Sequence, residues 1–251
     1  MNTFNPFSLE GKTILVTGAS SGIGKAVAIE CSKMGANMII TGRNPNRLQT
    51  TYDLLTRNNH QMLIADLTNV KDRETLIQKL PILDGIVHCA GISGHSIFSF
   101  IKQEEIDAMF SINFLTPFLL SQQIVKQKKV IKGASLIFIT STSGIISSYI
   151  GGSLYSSTKG ALNGLIKGMA LELASKQIRV NSVMPSMIET PIMEGSDVTS
   201  EQFENDKNLY PLKRYGKPEE VAYAVIYLLS DASAWVTGSN LLIDGGRSIV
   251  Y

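Results

Sequence analysis

Short apolar runs alternate with longer stretches in which apolar positions recur every three or four residues, and this continues from one end of the chain to the other. The runs TILV, MII, MLI, GIV, SLIFI, RVNSV and NLLI read as strands. Strands of a parallel sheet covered on both faces should be continuously apolar rather than alternating, which TILV and LIFI satisfy. The stretches between them are long enough for crossover helices. Between Ala161 and Ala174 the pairs Ala161/Leu162, Leu165/Ile166, Met169/Ala170 and Leu173/Ala174 mark a helix with a broad buried face. Asn44 followed by Pro45 predicts a helix start, the asparagine as N-cap and the proline at the first helical position. The order predicts one α/β domain over 1–251, a doubly wound sheet of about seven parallel strands with helices on both faces. The stretch 191–211 is less regular, and its place after a strand end suggests a flap over a site.

Composition narrows the setting. A chain of 251 residues that is 44% hydrophobic can bury a substantial core. A net charge of +2 gives no ground for expecting nucleic acid or a membrane surface as partner. Lys126, Lys128, Lys129 and Lys132 form a local basic cluster. Cys31 and Cys89 are the only cysteines, which fits a reducing compartment. No apolar run reaches the roughly 20 residues that span a bilayer, and the start MNTFNPFSLEGK lacks the basic-then-apolar order of a secretory signal. A cytoplasmic protein without a metal is the expectation.

Candidate chemistry begins where TILV runs into Thr17–Gly24, TGASSGIG, and then into a helical KAVAIECSKM. Strand, glycine turn and helix in that order form a dinucleotide cradle of Rossmann type. Gly18 permits the sharp exit, Gly22 lets backbone approach phosphate, Gly24 allows close helix packing, and the helix N-terminus favours a pyrophosphate. Gly18-Ala19-Ser20-Ser21-Gly22 also fits the nucleophile elbow of serine hydrolases. That fold needs a histidine near the chain end, whereas the histidines here are His60, His88 and His95. Some twenty residues on, where a carboxylate would select a ribose 2′-hydroxyl, stand Thr41-Gly42-Arg43. Arg43, with Arg47 one turn later, suits a 2′-phosphate instead and points to NADP(H) over NAD(H).

A second constellation follows SLIFI: Ser141, a glycine-rich segment, and Tyr155 four residues before Lys159. On one helical face the ammonium is expected to favour tyrosinate and lower the phenol pKa from about 10. Such pairs arise by chance in a chain with eight tyrosines. The weight of this one comes from lying after a strand end, in the same domain as the cradle.

TGASSGIG, His88-Cys89-Ala90-Gly91, Asn113, Ser141, Tyr155, Lys159 and the ending WVTGSNLLIDGG together resemble the short-chain dehydrogenase/reductase family over nearly the whole chain. The resemblance implies Tyr155 as general acid/base, Ser141 on the substrate carbonyl, Lys159 on the nicotinamide ribose and Asn113 in a water-linked proton relay. It also implies cofactor contacts from Gly18, Ser20, Ser21, Gly22, Ile23 and Gly24, from Asp66 and Leu67 beside adenine, from Ala90 and Gly91 at the adenosine ribose, and from Ile188 and Thr190 at the nicotinamide amide. It further implies a homotetramer.

Three positions depart from the family pattern: Pro185-Ser186 where Pro-Gly is usual, His88 where asparagine is common, and a Ser141–Tyr155 spacing one residue longer, with Thr142 and Ser143 as alternatives. TGASSGIG, PSMIET and PLKRYGKPEEVAYAVIYLLSD look nearest to 3-oxoacyl-[acyl-carrier-protein] reductases. The expectation is carbonyl reduction, with a 3-oxoacyl thioester on an acyl-carrier protein as one substrate. Sugar, polyol or steroid alcohols are the alternative, and a non-catalytic NADP(H) sensor is the alternative of another class.

Overall fold

The computed structural model describes residues 4–56, 59–191 and 199–250. Its strands are β1 (Thr13–Thr17), β2 (Asn37–Gly42), β3 (Gln61–Ile64), β4 (Leu83–His88), β5 (Val130–Ile139), β6 (Arg179–Pro185) and β7 (Asn240–Ile243). They form one sheet in the order β3-β2-β1-β4-β5-β6-β7, every neighbouring pair parallel. The order reverses direction between β1 and β4, which opens a crevice at their carboxyl ends.

The helices are α1 (Gly22–Lys33), α2 (Pro45–Tyr52), α3 (Val70–Lys79), α4 (Gln103–Phe110), α5 (Thr116–Lys126), α6 (Ser153–Leu173), α7 (Ser200–Lys207) and α8 (Pro218–Leu229). Successive strand residues point to opposite faces, so the sheet feeds two cores. Ile14, Val16, Ile40 and Val87 pack with Val27 of α1 and Val225 of α8. Leu15, Ile39, Ile86 and Phe138 pack with Ile77 of α3, Ile124 of α5 and Ile166 of α6. Burying each such side chain contributes about 1.5–3 kcal/mol. Asn44 caps α2 as its sequence predicts, its Oδ1 accepting from Arg47 N at 3.0 Å.

A π-helical turn, Ser111–Leu115, joins α4 to α5 in one continuous helix, Gln103–Lys126. At 24 residues and a mean hydropathy of 1.2 this helix meets the length and composition needed to cross a bilayer, which the apolar runs did not suggest. Its apolar side chains Leu120 and Ile124 lie instead in the core. Of the irregular stretch 191–211, residues 192–198 lie outside the described residues. The rest carries α7, capped by Thr199, whose side chain accepts from Gln202 N. Tyr210 then meets Ser186, hydroxyl to hydroxyl, at 2.9 Å.

Candidate active site

The glycine turn sits at the β1/β4 crevice. Gly18 has φ +66°, and a Cβ there would lie 2.7 Å from the backbone of Ala90, while one on Gly24 would overlap the Gly18 carbonyl oxygen. Strand end, helix start and the β4 loop are therefore in backbone contact. Helix α1 begins without a side-chain cap from Ser21 and without an acid in its first turn, whereas Asn44 and Asn69 cap α2 and α3. Its first amide N–H groups are left for an anion, and the helix dipole favours one there. Thr41, wholly buried at the end of β2, keeps a hydroxyl with no hydrogen-bond partner among the described residues, although its carbonyl accepts from Ala19 N at 3.1 Å. An uncapped helix start, a backbone-tight turn and an orphaned buried hydroxyl fit a dinucleotide.

Around this turn the other expected residues fall as follows. A Cβ on Gly22 would lie 3.3 Å from Thr190 Cγ2, so Thr190 closes the far side. Ile188 is buried and bridges to Gly216, and Ile23 packs on the first core. A Cβ on Gly42 would lie 3.3 Å from Ser20 Oγ, which brings Ser20 beside the loop that carries Arg43. Arg43 is exposed and its charge reaches Asp66. The Asp66 carboxyl is held below the usual range chiefly by the Thr68 hydroxyl, with Arg43 adding to it. Leu67 has its side chain in the second core, and its carbonyl accepts from Arg73 at 2.8 Å.

The proton-transfer residues converge at the carboxyl end of β5. Ser141 follows that strand, and its hydroxyl faces the Tyr155 phenol closely enough to lower its pKa. Neither Thr142 nor Ser143 is recorded in that contact; Ser143 N instead donates to Ser141 Oγ at 3.1 Å, fixing the hydroxyl. Lys159 is buried; its Nζ donates to Ile139 O at 2.9 Å and stands 5.7 Å from the Tyr155 ring centroid. Gly91 fits between Asn113 and Lys159, where a Cβ would lie 3.1 Å from Asn113 Oδ1 and 3.7 Å from Lys159 Nζ.

The expectation that Lys159 pulls the phenol pKa down is not met in this geometry. Burial pushes Tyr155 up to about 12, only partly offset by the nearby Ser141 hydroxyl. Burial also pushes the ammonium of Lys159 down to about 8. Four-residue spacing gives proximity, but the cost of charging either group in this desolvated pocket is larger.

Asn113 lies in the π-helical turn, 1% exposed, not on a helix surface. Its Oδ1 accepts from Ile92 N at 2.8 Å, and its Nδ2 donates to Ile92 O at 2.9 Å and Thr158 Oγ1 at 3.1 Å. Thr158 passes the link to Tyr155 O at 2.7 Å. The amide is fully engaged, so a relay at this residue would use its main-chain carbonyl. Hydrophobic periodicity carries no sign of a one-residue helical insertion, and Thr158 was missed for want of any local signal. Insertions of this kind are frequent at functional sites.

Two departures from the family pattern have structural accounts. Ser186 is not among the residues with positive φ, so the backbone here does not require glycine. His88 lies under the site, stacked on Phe138 with centroids 4.6 Å apart and bonded through Nε2 to Ser121 Oγ at 2.8 Å. Burial pushes its pKa down to about 3. The folded value lies below the unfolded one, so the stability that this neutral ring contributes is complete above about pH 6.5 and drains as pH falls towards 3. Between pH 7 and pH 5 the loss is about 2 kcal/mol. Denaturant unfolding at both pH values should show this gap in the wild type and a smaller one in His88→Asn; equal gaps would remove His88 as its source.

The cluster Lys126, Lys128, Lys129 and Lys132 lies at the opposite end of β5 from Ser141, and Lys129 Nζ donates to Leu80 O at 2.6 Å.

A family model described as "Enoyl-(Acyl carrier protein) reductase" matches residues 18–248. A 3-oxoacyl-[acyl-carrier-protein] reductase of Rickettsia felis is 35% identical over 96% of this chain and 99% of that protein. A tropinone reductase homologue of Datura stramonium is 30% identical over 97% and 94%. Among solved structures, a short-chain type dehydrogenase/reductase from Mycobacterium marinum superposes with a TM-score of 0.88 at 33% identity, covering 96% of this chain and 97% of that one. One from Serratia marcescens gives 0.88 at 29%, covering 97% and 100%. Likeness in sequence and in the same parallel sheet extends over nearly the full length of each protein: the chain belongs to the short-chain dehydrogenase/reductase family, nicotinamide-dependent oxidoreductases acting on CH–OH and C=O groups.

Proposed function

We propose that this protein is an NADP(H)-dependent reductase that converts a 3-oxoacyl thioester to the 3-hydroxy compound, with Tyr155 as the proton donor. The observation that carries the reading is the convergence of Ser141, the Tyr155 phenol and buried Lys159 at the end of β5, with an uncapped helix start at the end of β1. Bound NADPH supplies the hydride that the carbonyl carbon takes up. The rest belongs to the chain. Burial keeps the phenol protonated up to about pH 12, which suits the acid of a reduction: Tyr155 gives its proton to the oxygen as negative charge develops there. The Ser141 hydroxyl offers a second hydrogen bond to the same oxygen. Lys159, fixed by Ile139 O, keeps its remaining N–H groups for the nicotinamide ribose. Asn113 and Thr158 hold the first turn of α6 against the β4 loop. The thioester is drawn from the reductases of similar sequence.

The preference for NADP(H) rests on Arg43, beside Ser20 and with no carboxylate at the end of β2. Arg43→Ala should weaken NADPH binding by about 10- to 100-fold, the worth of one or two charge-assisted hydrogen bonds, and leave NADH binding nearly unchanged. Fluorescence titration with both cofactors reads this directly, and tighter wild-type binding of NADH would overturn the preference.

Turnover itself is tested by NADPH oxidation with a 3-oxobutanoyl thioester beside diketones, keto sugars and steroid ketones. Thioester turnover supports the assignment; reduction of another ketone alone keeps the chemistry and replaces the substrate. A cytoplasmic homotetramer, with 191–211 as a flap over the substrate, completes the proposal, and light scattering tests the assembly.

A further inference from the structure

The segment between Ser141 and Tyr155 carries a construction that the proton transfer does not use. Its first turn is closed by Gly144 N donating to Ser147 O at 2.8 Å and Ser147 N to Thr142 O at 3.0 Å. It is then tied to α6 by the Ser148 and Ser156 hydroxyls at 2.8 Å, and to the loop after β4 by Ser96 N donating to Gly151 O at 3.0 Å. Between these ties stands Tyr149, its ring stacked on the His95 imidazole with centroids 6.4 Å apart and planes at 16°. A Cβ on Gly151 would lie 2.5 Å from His95 Nε2, and one on Gly152 would lie 2.7 Å from the Tyr149 ring. Two successive positions are thus kept free of side chains by two rings, and the loop is shaped around the pair.

Tyr149 is held against the start of α6: Gly152, three positions before Tyr155, lies under its ring, and its neighbour Ser148 is bonded to Ser156, the residue after Tyr155. Charge on Tyr149 adds to the upward push on the Tyr155 phenol. Tyr149 is itself pushed up by burial, although 45% of the residue is exposed. Its hydroxyl has one protein partner recorded, Gly94 O at 3.5 Å, the outer limit of a hydrogen bond, so a better acceptor would take the proton. Apolar side chains flank the pair along the same two loops: Phe98 is 79% exposed, Phe100 76% and Ile150 83%.

We propose that Tyr149 is a specificity-determining residue whose hydroxyl donates to a second oxygen of the substrate, beside the carbonyl that Tyr155 protonates, with His95 as the positioning residue for its ring. The substrate class is a ketone that carries a further carbonyl oxygen on an otherwise apolar body. A 3-oxoacyl thioester is one member, and in naming it the inference rests on the function proposed above. A pocket that hydrogen-bonds such an oxygen discriminates against ketones lacking it, because the polar group is otherwise left poorly paired.

The test is steady-state kinetics of wild type and Tyr149→Phe with three ketones: a 3-oxobutanoyl thioester, the 1,3-diketone pentane-2,4-dione, and cyclohexanone, which has no second oxygen. For the two dicarbonyl compounds kcat/KM should fall about 10-fold, the worth of one neutral hydrogen bond, with the change in KM. Cyclohexanone kinetics and NADPH affinity should not move. His95→Ala should reproduce the loss and His95→Phe, which keeps a stacking ring, should restore most of it. Equal losses on all three ketones, or none, overturn the role of Tyr149, and no rescue by phenylalanine overturns that of His95. A selective loss on pentane-2,4-dione when the wild type does not reduce the thioester supports the inference and overturns only the thioester reading.

Discussion

Tyr155→Phe should bind NADPH as the wild type does and lose about 10²- to 10⁴-fold in kcat, the range that a positioned general acid supplies. The ring stays, so the packing of α6 is kept; the hydroxyl that meets Ser141 goes. The lysine, amide and imidazole around it are held elsewhere. Lys159 is spent on Ile139 O and Asn113 on Ile92 and Thr158. His88 is sealed beneath the sheet end against Phe138 and Ser121. A loss confined to kcat marks an interaction made in the transition state, whereas a matching rise in KM alone would mark ground-state binding. Undiminished turnover would remove Tyr155 from the chemistry. Lys159→Met should differ in kind, weakening NADPH binding as well as turnover, because its ammonium lies against Gly91 on the cofactor side.

The difference between these two residues was only half legible in the sequence. Parallel strands buried on both faces are apolar throughout, so TILV and LIFI declared themselves, but the crevice at β1/β4 did not, because the spatial order β3-β2-β1-β4 is not the order along the chain. The extent of β5 did not: it begins at Val130, through the exposed Ile131, Lys132 and Gly133, because Val130 pairs with Leu83 across a register shift. Spacing likewise brought Tyr155 and Lys159 together, but spacing says nothing of depth. Whether an ammonium lowers a phenol pKa or burial raises it depends on how much protein surrounds both, and that is set by loops far apart in the chain. The same limit hid the setting of Asn113, which the resemblance named but whose burial depends on a π-helical turn, and the Tyr149–His95 pair, whose members are 54 residues apart in sequence and meet only when two loops are tied together.

Gly144→Ala should be the most damaging single methyl group in the site. Gly144 has φ +87°, and an alanine Cβ there would overlap the Ser156 carbonyl oxygen and come within 2.9 Å of Gly160 N. The reverse contact is as close, since a Cβ on Gly160 would lie 2.9 Å from Gly144 O. The loop leaving β5 therefore rests backbone to backbone on the first turns of α6. That contact lies three residues after Ser141 and against the residue next to Tyr155, so it sets the distance between their hydroxyls. Left-handed backbone costs an alanine roughly 1–2 kcal/mol, and displacing α6 adds to it, for an expected destabilisation on the order of 3 kcal/mol with a fall in kcat of the folded fraction. Gly133→Ala separates the two contributions: Gly133 has the same φ of +87° but nothing within 4 Å of its Cβ. It should lose only the backbone share, roughly 1–2 kcal/mol, and keep full turnover. Thermal unfolding and kcat at saturating NADPH on both variants decide the matter; if the two alanines cost the same and both leave kcat intact, the backbone contact does not hold serine to tyrosine.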